Sequence, residues 1–352
     1  MLSDRIEGKW LDAFREVLSA CGVKPGEAVA ILSETQSRAL NVHLAELALH
    51  GLGARAFHLV VPTPRNPHPV PVRSTGASEA LAGLEPALAA LGRSGLVVDL
   101  TLEGLMHARE TPTILGAGAR ILHISNEHPE ALERLRPDPA LEDQVRQALR
   151  LLRGAATMSV TSAAGTDLTI DLREARTVGV WGWTTRPGTL AHWPGGLVLA
   201  FPAGGTVDGA LVLDRGDVNL TFKRYLESRV RLIVERDHVV AIEGEGSDAA
   251  LMRAYLEAWG DRNAYAVSHV GWGLNRRARY EALAMYDQRE TNGTELRAVA
   301  GNFLFSTGAN EFAGRHTAGH FDLPVMRTTI ELDGTAVVRE GVLLQSRRST
   351  DP

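Results

Sequence analysis

The chain has 352 residues, of which 44% are hydrophobic and 22% charged, a composition that is ordinary for a globular protein and long enough for two domains. Its formal net charge is -5 and no basic stretch dominates either half, which argues against a nucleic-acid partner. The only cysteine, Cys21, excludes an internal disulfide and any Cys-x-x-Cys metal site, and we interpret it as helix packing in a reducing compartment.

The first segment, residues 1–10, carries charges where a signal peptide needs an apolar stretch. No later segment approaches the roughly 18 apolar residues of a membrane span. We therefore expect a cytoplasmic protein with no membrane partner.

Residues 1–150 alternate helical and strand-like segments. Short apolar runs without polar alternation, separated by helices, are typical of a parallel sheet covered on both faces. The apolar runs lie at 28–32, 56–61, 95–100 and 120–124, and the helical segments at 10–21, 36–51 and 78–91, with a charged helical connector at 130–153. The sequence therefore predicts an α/β domain over 1–150.

The proline-rich stretch 62–71 predicts a surface loop, because proline cannot donate to a sheet ladder. This loop is also a candidate lid.

His107 follows the apolar run that ends near residue 100. Ligands of open α/β sheets bind outside the carboxyl ends of the strands, so this histidine is placed where a catalytic group would face a second domain. A neutral imidazole that titrates near neutrality is suited to moving a proton. A surface histidine on the next helix is the alternative.

From about Ala155 the pattern changes to β. Segments 158–161 and 167–171 alternate with period two around 164–166, which predicts a hairpin. Further strands are predicted at 196–201, 209–213, 229–234, 238–242, 328–332 and 336–344, with a helix at about 248–259. We expect a mixed α+β metal-binding domain over 151–352, so that the whole chain is of the α/β class.

Two histidines and one carboxylate, His269, His320 and Asp322, stand in apolar, glycine-punctuated segments of the C-terminal third. Residues two apart on a strand point to one face, so His320 and Asp322 can bind one ion, and His269 would complete the set. Such a 2-His-1-carboxylate set leaves open positions on a metal, as non-heme Fe(II) oxygenases require. For each residue alone, a surface or hydrogen-bonded core role is the alternative.

His316 is a rival ligand, because it precedes His320 by four residues, the spacing of one helix face. Gly314 and Gly319 argue against a helix there, so we favour a loop that enters a strand. The sequence contains no P-loop, His-Glu-x-x-His or Gly-x-Ser-x-Gly motif, which argues against a P-loop NTPase, an ordinary zincin and an α/β-hydrolase.

Ser306 is either a turn residue or a hydroxyl beside the metal. His192 lies in a cluster with Trp181, Trp183 and Trp193. Core packing is one account of these tryptophans, and an aromatic wall for a planar ligand is the other.

Several of these stretches closely resemble the 2,5-dihydroxypyridine 5,6-dioxygenases of bacterial nicotinic acid degradation, which are related to aminopeptidase T-like metallopeptidases. The resemblance extends over nearly the whole chain and is carried by 105–107, 192–196, 209–214, 268–274, 301–308 and 320–322. It implies Fe(II) held by the trio His269, His320 and Asp322. It also implies that His107 is the catalytic base and that Ser306 lies near the substrate. We expect Met106 and His192 to contact the substrate as well.

The related peptidases hold two metals, and their acidic and histidine ligands align with Leu197 and Leu304 here. Apolar side chains cannot coordinate, so the resemblance implies no second metal. Met106 stands where the family has leucine, and the loop 309–319 is shorter than in the dioxygenases of this family. We expect both features to border the ring pocket.

The sequence as a whole is therefore interpreted as an Fe(II)-dependent extradiol-type dioxygenase. It would open 2,5-dihydroxypyridine, or a close hydroxylated nitrogen heterocycle, to N-formylmaleamate. Its partners would be the hydroxypyridine and O2, with no organic cofactor, and we expect a homo-oligomer. A metal-dependent hydrolase of the aminopeptidase T type and a non-catalytic metal protein are the alternatives.

Overall fold

The computed structural model describes residues 4–65, 76–288 and 290–344. The predicted loop at 62–71 lies outside the described residues from 66 onward. The first half contains α1 (Gly8–Ala20), β1 (Ala28–Glu34), α2 (Ala39–Gly51), β2 (Arg55–Val61), α3 (Glu85–Gly92), β3 (Leu96–Asp99), α4 (Thr111–Gly116), β4 (Arg120–Ile124), α5 (Pro129–Arg134) and α6 (Pro139–Gly154).

The second half is richer in strands, as its period-two patterns predict. Its strands and helices are β5 (Thr157–Ser162), β6 (Asp167–Asp171), β7 (Arg176–Val180), β8 (Leu190–Trp193), β9 (Leu197–Phe201), β10 (Val207–Leu213), β11 (Val218–Asn219), β12 (Arg224–Tyr225), β13 (Val230–Glu235), β14 (His238–Glu243), α7 (Gly246–Ala258), β15 (Val267–Gly273), α8 (Ala282–Met285), α9 (Thr294–Arg297), β16 (Phe303–Asn310), β17 (Arg315–Val325), β18 (Thr328–Leu332), β19 (Thr335–Arg339) and β20 (Val342–Leu343). Short 3-10 turns lie at Arg262–Tyr265 and Glu311–Ala313.

Two predicted segments are divided in the structure. The connector at 130–153 is two helices, because Pro137 and Pro139 interrupt it and Asp138 caps the second helix by accepting from the Ala140 amide at 2.9 Å. The predicted strand 336–344 turns back at Glu340 and Gly341, which both have positive φ.

The predicted parallel sheet is confirmed, with strand order β2-β1-β3-β4-β8. Its fifth strand, β8, comes from beyond residue 150 and pairs with β4, so that the chain returns to the first sheet before it builds the rest of the second half. The boundary between 1–150 and 151–352 stays a prediction.

The second half forms an antiparallel sheet of order β17-β16-β15-β9-β7 and a larger sheet of order β14-β13-β10-β6-β5-β18-β19-β20. The predicted hairpin of β5 and β6 is present. One apolar core contains side chains from both of these sheets together with α6 and α7. The fold is thus of the mixed α/β class that the sequence predicts.

Among the described residues, no helix combines the length and the apolar character that crossing a bilayer requires.

Candidate metal centre

A cavity of about 800 Å³ lies where the carboxyl edge of the parallel sheet meets one face of the β15–β17 sheet. Much of its wall is apolar, with Leu197, Leu199 and Leu304 among the lining residues. Polar groups converge on one part of this largely apolar wall, which is the usual character of a ligand site.

Strand pairing brings two of the predicted ligands into one row across the sheet. His269 on β15 pairs with Ser306 on β16, and Ser306 pairs with Asp322 on β17. Paired residues share a face, so the side chains of His269 and Asp322 flank a small central serine. The flanking strands are about 10 Å apart, and the small serine leaves room for the two longer side chains to converge above it.

His320 joins this row from two residues before Asp322 on β17, as the sequence predicts for a strand. Its register partner is Gly308, where a Cβ would meet the Gly319 carbonyl oxygen at 2.1 Å. Gly308 also has φ of +116°, so only glycine fits the close approach of β16 to β17 at this point.

The three side chains are buried and close together. His320 Nε2 lies 3.2 Å from Asp322 Oδ1, and His269 Nε2 lies 3.9 Å from the same oxygen. The side chains of His269, His320 and Asp322 are only 7%, 4% and 6% exposed. Spacings of this size suit ligands that share one ion.

Asp322 is held by two groups besides the histidines. Arg297 donates to Oδ2, and the Ser306 hydroxyl donates to Oδ1. Burial by itself would raise the pKa of Asp322, but the guanidinium of Arg297 and the neighbouring His320 hold it well below its ordinary value. The carboxylate is therefore ionised and oriented, as a metal-binding carboxylate must be.

The histidines also suit a metal. Burial lowers the pKa of His269 well below its ordinary value, so that this ring is neutral. Nδ1 of His269 and Nδ1 of His320 are buried without a hydrogen-bond partner among the residues that the structure describes. A neutral imidazole and an ionised carboxylate are donor types that Fe(II) takes.

His107 lies against the trio. Its ring centroid is 6.2 Å from that of His269 and 5.1 Å from that of His320, and ring nitrogens of all three histidines lie within 4.8 Å of one another. His107 Nδ1 is 2.7 Å from Glu311 Oε1. Burial raises the pKa of Glu311, but the hydrogen bond and charge of His107 outweigh it and lower the pKa overall.

Two donor sets therefore share His269 and His320, one completed by Asp322 and the other by His107. The carboxylate partner of His107 resembles the orienting partner of an acid-base histidine. The roles of His107 as the base and Asp322 as the ligand stay predictions.

The predicted substrate-binding residues occupy different positions. Met106 and His192 line the cavity. Ser306 is fully buried, and its hydroxyl donates a hydrogen bond to Asp322 Oδ1. A direct contact between Ser306 and a substrate stays a prediction.

The rival ligand His316 lies on strand β17, exposed at the cavity. Residues four apart on a strand are about 13 Å apart along it, so His316 and His320 do not form the helical pair that their spacing allowed.

Three further neighbours of the site are not indicated by any sequence pattern. Arg297 contacts Asp322, Glu311 contacts His107, and the Phe201 ring packs at 5.2 Å from the ring centroid of His269. Glu311 and His107 are 204 residues apart, and no motif spacing connects such a pair.

Comparison with known proteins gives a consistent result. The sequence model of the NicX family, described as 2,5-dihydroxypyridine 5,6-dioxygenase, matches residues 9–345. A Pseudomonas putida protein named 2,5-dihydroxypyridine 5,6-dioxygenase is 35% identical over 340 residues, which cover 96% of each chain.

Two solved structures are also similar. The structure of 2,5-dihydroxypyridine dioxygenase from Pseudomonas putida KT2440 has a TM-score of 0.92 and 33% identity, covering 99% of this chain and 100% of its own. Wild-type AmpT from Thermus thermophilus has a TM-score of 0.59 and 15% identity, covering 96% of this chain and 99% of its own. The second likeness shows a shared fold alone.

Proposed function

Because the chain belongs to the 2,5-dihydroxypyridine 5,6-dioxygenase family, we propose that it is an Fe(II)-dependent, extradiol-type dioxygenase. Its substrate would be 2,5-dihydroxypyridine or a close hydroxylated nitrogen heterocycle. The C5–C6 bond of 2,5-dihydroxypyridine breaks, and both atoms of O2 enter N-formylmaleamate, so that the reaction balances without another co-reactant.

The observation that carries this proposal is the buried convergence of His269, His320 and Asp322 on a cavity that also presents His107. When bound by the first three residues, Fe(II) would supply open coordination positions that bring the ring hydroxyl and O2 together. Arg297 and Ser306 would keep the carboxylate in place.

His107 is proposed to accept the proton of the ring 5-hydroxyl, which raises the electron density of the ring, and to return a proton later. Glu311 orients it, because a hydrogen bond at Nδ1 leaves Nε2 as the nitrogen available to the substrate. The leucine-rich wall and Phe201 exclude water and pack against the flat ring.

Met106 and His192 would contact the ring from the cavity wall, and Ser306 would act at the edge of the same site. The cytoplasmic location, the homo-oligomer and the boundary at residue 150 stay predictions.

The test is an oxygen-electrode trace with protein loaded anaerobically with Fe(II) and then given 2,5-dihydroxypyridine. The proposal expects O2 uptake equal to substrate consumed, and none with metal-free protein. With 18O2, the ring-opened product should carry two labelled atoms.

A hydrolase of the aminopeptidase T type is the alternative, since Zn2+ also accepts two histidines, a carboxylate and water. It would take its oxygen from water and would work without O2. Peptide cleavage with Zn2+ and no uptake of O2 would replace the dioxygenase proposal.

A further inference from the structure

A second polar row lies on the parallel sheet, in the same cavity. Asp99 on β3 pairs with His123 on β4, and His123 pairs with His192 on β8. Register partners in a parallel sheet point to the same face, with adjacent strands about 4.8 Å apart. His123 and His192 both line the cavity, at the carboxyl ends of their strands, where open α/β sheets bind ligands.

The orientation of His123 is set by Asp99, which is fully buried. The carboxylate accepts from the Thr101 amide at 3.0 Å, the Thr101 hydroxyl at 2.7 Å and the Leu105 amide at 2.8 Å. Burial raises the pKa of Asp99, but His123 and the Thr101 bonds outweigh it and lower the pKa overall. An ionised carboxylate only accepts, so His123 Nδ1, at 3.1 Å, is the donor.

Nε2 is then the ring nitrogen of His123 that can bind a ligand. Gly104 packs over the ring, since a Cβ there would come within 3.0 Å of Cε1 and 3.1 Å of Nε2. The ring is therefore clamped between a carboxylate and a glycine, and its side chain is only 4% exposed.

His192 has the complementary arrangement. Its Nδ1 lies 2.7 Å from the carbonyl oxygen of Pro194, so Nδ1 carries the hydrogen and donates. Burial is the main cause that lowers the pKa of this ring to about 4, and the neighbouring His123 adds to it. The neutral ring leaves Nε2 as an acceptor.

We propose that His123 and His192 recognise a cyclic amide. In this arrangement His192 Nε2 accepts the ring N–H, and His123, as an imidazolium whose Nδ1–H donates to Asp99, donates its Nε2–H to the adjacent carbonyl oxygen. This inference rests on the proposed function, because 2,5-dihydroxypyridine has such an edge in its 2-pyridone form. Positions 2 and 5 lie on opposite sides of that ring. A ring held by its amide edge on the parallel sheet therefore directs the 5-hydroxyl away from it, toward the other polar groups of the cavity.

The experiment compares two ligands under anaerobic conditions with Fe(II)-loaded protein. 2,5-Dihydroxypyridine offers the amide edge, whereas 3-hydroxypyridine keeps the nitrogen and the reacting hydroxyl but lacks the second oxygen. In His123→Asn, the amide nitrogen takes the place of Nδ1 and still reaches Asp99, but nothing replaces Nε2. We expect its affinity for 2,5-dihydroxypyridine to fall roughly 10- to 100-fold, and its affinity for 3-hydroxypyridine to change less than about 2-fold.

His123→Gln is the complementary variant, because its side-chain amide reaches the position of Nε2. It should restore much of the affinity for 2,5-dihydroxypyridine. His128→Leu is the control, since His128 is equally buried but bonds to the Glu130 amide, at the start of a helix outside the cavity. It should bind both ligands like wild type.

Equal losses for both ligands in His123→Asn, or wild-type binding of 2,5-dihydroxypyridine, would overturn the inference. A selective loss in a protein that takes up no O2 would support the recognition and overturn the proposed function. Uptake of O2 by a His123→Asn variant that binds 2,5-dihydroxypyridine like wild type would overturn the recognition alone.

Discussion

The cavity lies between an antiparallel wall, formed by β15, β16 and β17, and a parallel wall, formed by the carboxyl ends of β3, β4 and β8. The two walls are built in different ways. The proposed metal ligands lie within the paired strands β15 and β17, where register fixes each Cα against its neighbours. His107 and Asp99 lie at or beyond the end of a parallel strand, where side chains and backbone amides hold them. Groups that must share one ion need the tighter geometry, and a sheet interior supplies it better than a loop does.

The two walls also differ in the charges that hold their histidines. On the antiparallel wall, Arg297 neutralises Asp322 beside two histidines. On the parallel wall, His123 is held at Nδ1 by Asp99, and His107 is held at Nδ1 by Glu311, which follows β16. The first arrangement suits the binding of a metal cation by deprotonated side chains. The second suits histidines that transfer protons or donate hydrogen bonds.

The largest effects should come from the antiparallel wall. In His269→Ala, His320→Ala and Asp322→Ala, we expect iron content near zero and turnover reduced by more than about 1000-fold, because each residue is proposed as a direct ligand. Iron analysis and far-UV circular dichroism check this. His316→Ala is the control on the same strand, and an equal loss there would revive the rival ligand pair.

His107→Ala tests whether the antiparallel wall binds the metal while His107 on the parallel wall acts only as the base. The variant should keep its iron and bind the pyridine with similar affinity, yet lose about 10² to 10⁴ in turnover, the contribution of a positioned acid-base group. Single-turnover kinetics with measured iron content check this. Loss of iron in this variant would instead make His107 the third ligand, in place of Asp322.

Ser306 tests whether the space between the ligand strands matters. Ser306→Val places a branched side chain between His269 and Asp322, and we expect iron affinity to fall roughly 10- to 100-fold. Ser306→Ala removes the hydroxyl but keeps the space, so it should lose less than about 10-fold. Metal titrations and melting temperatures separate binding from overpacking, and equal affinities in the two variants would contradict the argument.

Glu311→Gln probes the support of His107. A neutral amide holds the ring less firmly, so kcat should fall roughly 10-fold while iron content and substrate affinity stay near wild type. Glu311→Asp, which keeps the charge, should recover part of the rate. Steady-state kinetics on both variants decide this, and an unchanged kcat in Glu311→Gln would leave Glu311 without a positioning role.

The smallest effect concerns stability and pH. Because the pKa of His192 falls from 6.5 to about 4, the unfolded chain binds a proton in this window that the folded chain does not. Stability therefore drops as the pH falls from about 6.5 to 4, by about 2 to 3 kcal/mol for this residue.

In His192→Gln this contribution disappears, so the acid-induced loss should be smaller than in wild type but not zero, since His269 acts in the same direction. Urea unfolding of metal-free protein at pH 7 and pH 4.5 measures the difference. Identical losses in the two proteins would show that His192 is not a neutral buried ring.

Much of the fold was predictable because its signals are local. Apolar runs without alternation indicated the parallel sheet, and period-two alternation indicated the hairpin of β5 and β6. Strand β8 was missed, because it is only four residues long and its parallel partner, β4, lies more than sixty residues earlier. Short-range patterns carry no information about such a pairing.

The sequence by itself determined that His320 and Asp322 share a strand face, because a two-residue spacing has only one meaning in extended backbone. Only the tertiary structure decided that His269 faces Asp322 across Ser306, that Arg297 neutralises that carboxylate, and that Asp99 orients His123. These contacts join strands and loops far apart in the chain. They follow from sheet register and from the meeting of two sheets, which depend on the free energy of the whole core and not on any local run of residues.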